Sequence, residues 1–325
     1  MVTVPRDWRP DPAQMALLPE VSGNAINGLG EAAPRRPQVI YWAPDPDTIP
    51  HGAAQRWFYQ RNDSPELAEE RAIRAAEMAR PLPEQAPEPA VEGASLDPAD
   101  WSARIKAEGR RLGADDIGIA RLDPGWLYEG AQAKGRFVIL VAVRMEYAAL
   151  QTAPAQPAGI EVVRQYTRGL RIVRALAGWL RRQGAPAEAE PGPMTGSLTL
   201  IPAALAAGMG ELGKHGSLIH RELGAMFRLA AVLTDLELAP DAPDAFGADG
   251  FCTHCRLCSD NCPPDAIFRE KQTVRGVRKW YVDFDRCLPF FNETAGCGIC
   301  LAVCPFSHPE RGPRLAAKLE RRGRP

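Results

Sequence analysis

Eight cysteines carry the clearest chemistry in the chain, and all of them fall between Cys252 and Cys304. Cys252, Cys255, Cys258 and Cys262 are spaced C-x2-C-x2-C-x3-C, with Pro263 next. Cys297, Cys300 and Cys304 are spaced C-x2-C-x3-C, with Pro305 next, and Cys287 stands between the two runs. Thiolates are soft ligands, and in sets of four they suit iron–sulfur clusters or zinc. Paired zinc sites seldom combine this spacing with a proline after the last cysteine, so the chemistry indicated is electron transfer. A disulfide framework would spread its bridges over the fold, whereas the first 251 residues hold no cysteine.

The first run is the bacterial ferredoxin pattern, in which three thiolates take one cubane and the fourth reaches the other. Applied here, it gives two 4Fe–4S sites. One is Cys252, Cys255, Cys258 and Cys304; the other is Cys262, Cys287, Cys297 and Cys300. No cysteine is left over. The second run lacks its first cysteine, and Cys287 sits ten residues before Cys297 instead. That displacement predicts a spread-out loop over 287–297. The loop is either room for electron transfer to something beside the second cluster or a simple insertion.

These ligands need a scaffold. The chain has 325 residues, 45% hydrophobic and 24% charged, enough for one large domain or two ordinary ones. That composition excludes a disordered polymer, a collagen-like fibre and a coiled coil. Lys+Arg (39) balance Asp+Glu (40), so no overall field argues for nucleic acid or an anionic membrane. The longest clean apolar run, Phe137 to Val143, has seven residues against the roughly 20 of a spanning helix. The opening MVTVPRDWRP has no apolar signal core, and Arg35-Arg36 leads into Pro37 rather than into one. The expected location is therefore the cytoplasm.

Patterning predicts helices over 65–79, from Pro98 to near Gly113 with Asp97 as N-cap, and over 159–183. Strands are predicted over 115–122, 136–145 and 229–238, with a helical stretch near 202–209. Residues 81–98 hold five prolines and read as an extended strap. The alternation from 98 to 238 predicts an α/β or α+β domain with helices on a sheet. The expected organisation is an irregular and helical N-terminal region with its strap (1–95), an α/β core (96–245), a two-cluster module (246–310) and a basic tail (311–325). Arg164, Arg168, Arg171, Arg174, Arg181 and Arg182 form a stripe on the long helix. Its plain reading is a solvated face; the alternatives are docking of an acidic electron donor or of RNA.

The segment GMGELGKHGSLIHRELGAMFRLAAVLTDLEL (208–238) and the upstream GADDIGIARLDPGWLY (113–128) accompany the dicluster pattern. Together they resemble the corrinoid-dependent reductive dehalogenases and, more distantly, the epoxyqueuosine reductases. The resemblance covers roughly 95–310, and WFYQRNDSPELAEE (57–70) is similar to dehalogenase N-terminal regions. It implies a nitroreductase-like, cobalamin-binding α/β core joined to a two-cluster ferredoxin-like module. None of His51, His215, His220, His254 and His308 fits the D-x-H-x-x-G motif of a lower cobalt ligand, which agrees with base-off cobalamin lacking a His ligand. The implied reaction removes halide from an organohalide with two electrons and one proton. The implied proton donor is Tyr166, in VVRQYTRGLRIV, helped by Lys214, in GELGKHG. An ammonium beside a phenol favours its ionised form. The plain readings are a tyrosine packed on the sheet and a loop lysine, with Glu211 and His215 as loop or charge partners. Gly208, Gly210, Gly213, His215 and Gly216 are implied to approach the corrinoid or its phosphate tail. As a dinucleotide loop the same glycines are a weak signal, because no buried strand immediately precedes them. The set containing Cys287 is implied to lie nearer the cobalt.

Two other readings compete. An epoxyqueuosine reductase would modify tRNA and is expected to carry an Asp about twenty residues before the Gly-rich motif. Residues 191–210 contain no Asp or Glu, and the chain stops at Pro325 without a helical-repeat tail. A plain dicluster electron carrier would leave the roughly 250 residues before the clusters unexplained. No flavin- or NAD-binding domain is apparent, so an outside ferredoxin or flavodoxin is the expected electron donor.

Overall fold

The apolar run near residue 140 forms the strand Phe137–Arg144, and it is apolar throughout because both of its faces are covered. Ile139, Val141 and Val143 pack with Ile172, Val173 and Leu176 of a long helix, Gln156–Arg182. Val138, Leu140 and Ala142 face the other way, onto Leu198, Ala203 and Ala204. The chain is seen here as a computed structural model that describes residues 8–62, 64–81, 96–132, 134–190, 192 and 196–323. The expected strap falls mostly on residues 82–95, outside the described set.

The sheet has four strands in the spatial order Asp116–Arg121, Phe137–Arg144, Phe227–Thr234, Ala187–Glu190. Every pairing is antiparallel, with Ile139 opposite both Ile119 and Val232. The fold is thus a mixed α/β arrangement of the α+β kind, and the expected helices and strands form within a few residues of their predicted bounds. The edge strand Ala187–Glu190 was not anticipated, because AEAE carries almost no apolar signal. Asp97 caps the helix Pro98–Arg111 by accepting from Asp100 N at 2.8 Å.

The arginine stripe keeps a solvated, half-exposed character, and members of it are ion-paired: Arg164 pairs with Glu70 at 2.5 Å and Arg171 with Glu77 at 2.8 Å, both glutamates on the helix Pro65–Ala79. Arg168 pairs with Asp115 at 3.0 Å and Arg181 with Glu188 at 2.7 Å. The 287–297 segment is not a spread-out loop. Cys287 lies on the helix Phe284–Glu293, whose N-cap Asp283 accepts from Arg286 N at 3.0 Å. The basic tail is the helix Arg311–Gly323, which lays Leu315, Ala316 and Leu319 against the core that also holds Cys252 and Cys304. Arg221 ties it down, bridging Asp244 at 2.6 Å and Glu320 at 2.9 Å.

The N-terminal residues grip the helix Phe284–Glu293 along its length. Glu293 accepts from Trp8 Nε1 at 2.8 Å and Asp11 N at 2.7 Å. Gln14 donates to Pro289 O at 3.1 Å, and Asn62 to Asn292 O at 2.8 Å. Asp285 accepts from Gly23 N at 2.7 Å, and Asn24 donates to Asp283 at 2.8 Å. Among the described residues, no helix is long and apolar enough to cross a membrane.

Ile139 is fully buried at the sheet–helix contact. Ile139→Ala should lower unfolding free energy by about 2–5 kcal/mol in chemical denaturation, since truncation there leaves a cavity. A change near zero would contradict the packing described.

Candidate metal centres and active-site cleft

The turns of the C-terminal segment gather the thiols into two groups. Cys252, Cys255, Cys258 and Cys304 line one small hollow with Lys214, His215 and Phe306. Cys262, Cys287, Cys297 and Cys300 line a separate, larger cleft. None of the eight is in a disulfide. The two linings hold the same cysteines as the two sets expected from the spacing. Among the described residues, no three His, Cys, Asp or Glu side chains converge closely enough to hold a single metal ion; the thiols surround hollows.

Backbone amides aim at the sulfurs. Cys262 accepts from Ala266 N at 3.4 Å. Cys297 accepts from the amides of Gly298 and Ile299, and Cys304 from that of Phe306. The turn at Cys297 is left-handed, with φ of +93°, +51° and +86° at Gly296, Cys297 and Gly298, and it forms the concave array of N–H groups that favours an anion. Burial pushes the thiols up, Cys252 to about 11 and Cys258, Cys287, Cys297 and Cys304 to about 12. Neighbouring sulfurs add to the rise within each group: Cys252 and Cys258 at Cys304, Cys297 and Cys262 at Cys287. Four such thiols ionise together only where a bound cation or cluster supplies positive charge.

A two-stranded hairpin, Glu211–Leu212 against Leu218–Ile219, reaches this region. Its tip closes through Gly213 N to Ser217 O (2.8 Å) and Gly216 N to Gly213 O (2.9 Å). Glu211 anchors it by accepting from the amides of Phe246, Gly247 and Ala248 at 2.7–2.9 Å, at the start of the helix carrying Cys252. Lys214 is buried at the tip and donates to Cys255 O at 2.8 Å. His215 is buried too; its Nδ1 accepts from Ser217 N at 3.2 Å and its Nε2 has no partner. Burial lowers its pKa to about 4, so the ring is neutral, and the Ser217 bond leaves its proton on Nε2.

The larger cleft has about 1230 Å³ of space, above the usual range for small-molecule pockets. Gly210, His215, Gly216 and Ser217 form one wall. Arg35, Arg275 and Lys279 line it as well; Arg275 and Lys279 are lowered chiefly by burial and then by a neighbouring cation. Arg35 is paired with Glu31 at 2.7 Å, so Arg275 and Lys279 are the desolvated cations that suit an anionic group such as a phosphate. Of the glycines expected to meet a cofactor, Gly208 and Gly213 do not line the cleft. A Cβ at Gly208 would stand 2.3 Å from Ala242 O, and one at Gly210 2.1 Å from Ile219 O, so the chain's own packing demands both.

A second cavity of about 940 Å³ adjoins the first, and Ile201, Ser217 and Arg228 line both. Tyr166 of the long helix and Glu190 of the edge strand face this second cavity, with Tyr41 and Trp42 of the N-terminal region in its wall. The Arg228 guanidinium lies 5.4 Å from the Tyr166 ring centre, and that of Arg74 5.5 Å. Arg228 Nε is buried without a hydrogen-bond partner. Glu190 accepts from Ser197 N at 2.7 Å and Ser197 Oγ at 2.8 Å, and burial raises its pKa.

Lys214 is thus not the cation beside Tyr166: it lines the first thiol hollow, and arginines stand over the ring. Sequence reasoning missed Arg228 and Glu190. A lone charge inside the apolar strand run MFRLAAVLT was the available signal for the first. Glu190 lies one residue outside the 191–210 window taken as free of acids, so that argument against an epoxyqueuosine reductase loses its force.

The family described as a 4Fe–4S dicluster domain matches residues 251–308. The chain is 35% identical over 212 residues to a tetrachloroethene reductive dehalogenase of Desulfitobacterium hafniense, covering 61% of this chain and 38% of that protein. It is 27% identical over 278 residues to an epoxyqueuosine reductase of Alicycliphilus denitrificans, covering 66% of this chain and 73% of that one. A solved reductive dehalogenase, whose structure suggests a mechanism for B12-dependent dehalogenation, superposes with a TM-score of 0.65 at 26% identity, over 82% of this chain and 39% of its own. The chain is a homologue of the reductive dehalogenases, which are oxidoreductases, and carries a 4Fe–4S dicluster domain; epoxyqueuosine reductases are more distant relatives. It spans well under half the length of the dehalogenase relative.

Replacing Cys287 tests the grouping. After anaerobic reconstitution, Cys287→Ala should hold about half the iron of the parent protein, because one of two four-iron sites loses a ligand. Unchanged iron content would remove Cys287 from the ligand set.

Proposed function

We propose that this chain is the catalytic core of a cobalamin-dependent reductive dehalogenase, removing halide from a small organohalide: R–X + 2e⁻ + H⁺ → R–H + X⁻. One observation carries the reading. The cavity holding Tyr166 shares Ile201, Ser217 and Arg228 with the cleft lined by Cys262, Cys287, Cys297 and Cys300. The proposed proton source and electron source therefore stand at adjoining spaces with a common wall.

The cleft fits a corrinoid in size, in its wall of hairpin backbone and in its cationic lip. Gly210, His215, Gly216 and Ser217 would hold its face, and Arg275 and Lys279 its anionic tail. When bound, the corrinoid supplies the low-potential centre at which the carbon–halogen bond breaks. With its proton on Nε2, His215 is a hydrogen-bond donor and not a cobalt ligand, which supports the base-off reading. The Cys252 set would receive electrons from an external donor of ferredoxin or flavodoxin type, and the Cys262 set would pass them on.

Tyr166 donates the proton from its hydroxyl, and Arg228 stabilises the phenolate left behind. Tyr41, Trp42 and Phe227 give the cavity an apolar, aromatic wall suited to an organohalide. Glu190 is the competing acid in the same cavity, and an acid there also keeps the epoxyqueuosine-type reaction in play. The Tyr166–Arg228 stack and the higher identity favour the dehalogenase.

The protein is reconstituted with iron, sulfide and cobalamin, reduced with a viologen dye, and assayed for halide release from halogenated phenols and alkanes. Tyr166→Phe should cut turnover at least about 100-fold with cobalamin retained, the scale of general acid catalysis. Glu190→Gln should keep most activity. The opposite pattern would make Glu190 the donor. No halide release from any substrate, with both cofactors loaded, would contradict the proposal.

A further inference from the structure

Lys214 has a surrounding that the tyrosine role does not explain. It is 2% exposed, and among the described residues no carboxylate lies within ion-pair distance of its ammonium. Nζ donates to Cys255 O at 2.8 Å and stands 5.0 Å from the centre of the Trp280 ring. The other face of the contrast is Lys271, 5.5 Å from the same ring. Lys271 pairs with Asp249 at 2.6 Å, and Asp249 also accepts from Trp280 Nε1 at 2.7 Å. One ammonium at this tryptophan is neutralised by a carboxylate, and the buried one is not.

A buried ammonium needs a counter-charge, or its desolvation is uncompensated. Asp249, which also acts on Cys252, is held by Lys271 and Trp280, so the negative charge left for Lys214 is that of the sulfurs. The Lys214 side chain acts electrostatically on both Cys252 and Cys258, and its own backbone N–H donates to Cys252 Sγ. A single residue at the hairpin tip therefore addresses this hollow twice, through its amide and through its charge. Glu211 locks that tip to the helix bearing Cys252, so the placement is rigid.

We propose that Lys214 is a positioning residue for electron flow: its ammonium is the built-in counter-ion of the cluster held by Cys252, Cys255, Cys258 and Cys304, and it raises that cluster's reduction potential. The inference rests on the cluster reading above. A cluster with four thiolates is anionic, and reduction adds one more negative charge. Net charge and hydrogen bonds to the sulfurs are the levers that set such potentials. A fixed cation in a low-dielectric site favours the reduced form. The first cluster would then accept electrons readily from an outside donor, while the Cys262 set lacks this lysine.

The test is an EPR-monitored redox titration of the reconstituted full chain, as wild type, Lys214→Met and Lys214→Arg. Wild type should show two one-electron steps. In Lys214→Met one step should move to more negative potential, lowering the reduced-to-oxidised ratio at fixed potential at least about tenfold, or about 59 mV for a one-electron couple. The other step should stay in place, and Lys214→Arg should recover most of the shift. Two clusters with unmoved steps in Lys214→Met would overturn the proposal. If Lys214→Met instead assembles with about half the iron while Lys214→Arg keeps it all, the charge requirement stands; loss in both variants would overturn it. Absence of any cluster signal in wild type would remove the cluster reading itself, a different result from an unmoved potential.

Discussion

Eight cysteine sulfurs gathered around two hollows are the constraint on which the rest of the structure depends. Thiolates so close together repel, and burial raises the pKa of Cys287 and Cys304 to about 12. The surrounding fold answers with directed positive charge. Amides of the turns at Cys262, Cys297 and Cys304 point at sulfur, and the hairpin tip brings an ammonium to Cys252 and Cys258. The hairpin reaches that place because Gly208 and Gly210 allow the chain to press against Ala242 and Ile219, and because Glu211 fastens it to the cysteine-bearing helix.

The second group is held differently. Cys287 is carried on a helix that the N-terminal residues clamp from Trp8 to Asn62, so a segment far away in sequence positions one ligand. The same N-terminal region supplies Tyr41 and Trp42 to the Tyr166 cavity. One stretch of chain thereby packs on the helix carrying Cys287 and also lines the Tyr166 cavity. Arg228 lines both cavities, and its guanidinium lies 5.4 Å from the Tyr166 ring centre.

The cysteine spacing was readable as a dicluster pattern because it is a local property of the turns, and a 4Fe–4S dicluster domain matches residues 251–308. Strand 137–144 was legible because a strand covered on both faces must be apolar at every position. Tyr166 was readable from the resemblance, and it does face a cavity. Its cation was not, because the neighbourhood of Tyr166 and Arg228 is produced by a helix laid across a sheet, 62 residues apart in sequence, which no local pattern encodes. Lys214 was drawn to the wrong partner for the same reason: the hairpin turns it toward the thiols. The Cys287 gap was read as a loop from cysteine spacing alone, which carries no sign of a helix that runs through Pro289 and is clamped by N-terminal residues distant in sequence.

The central claim is that two four-iron clusters and one corrinoid share this chain, the second cluster beside the corrinoid. Its most direct test is anaerobic purification with cobalamin supplied, followed by metal analysis and EPR. The account predicts about eight iron and about one cobalt per chain, with a base-off Co(II) signal. Eight iron with no cobalt after loading would contradict it and leave a dicluster electron carrier.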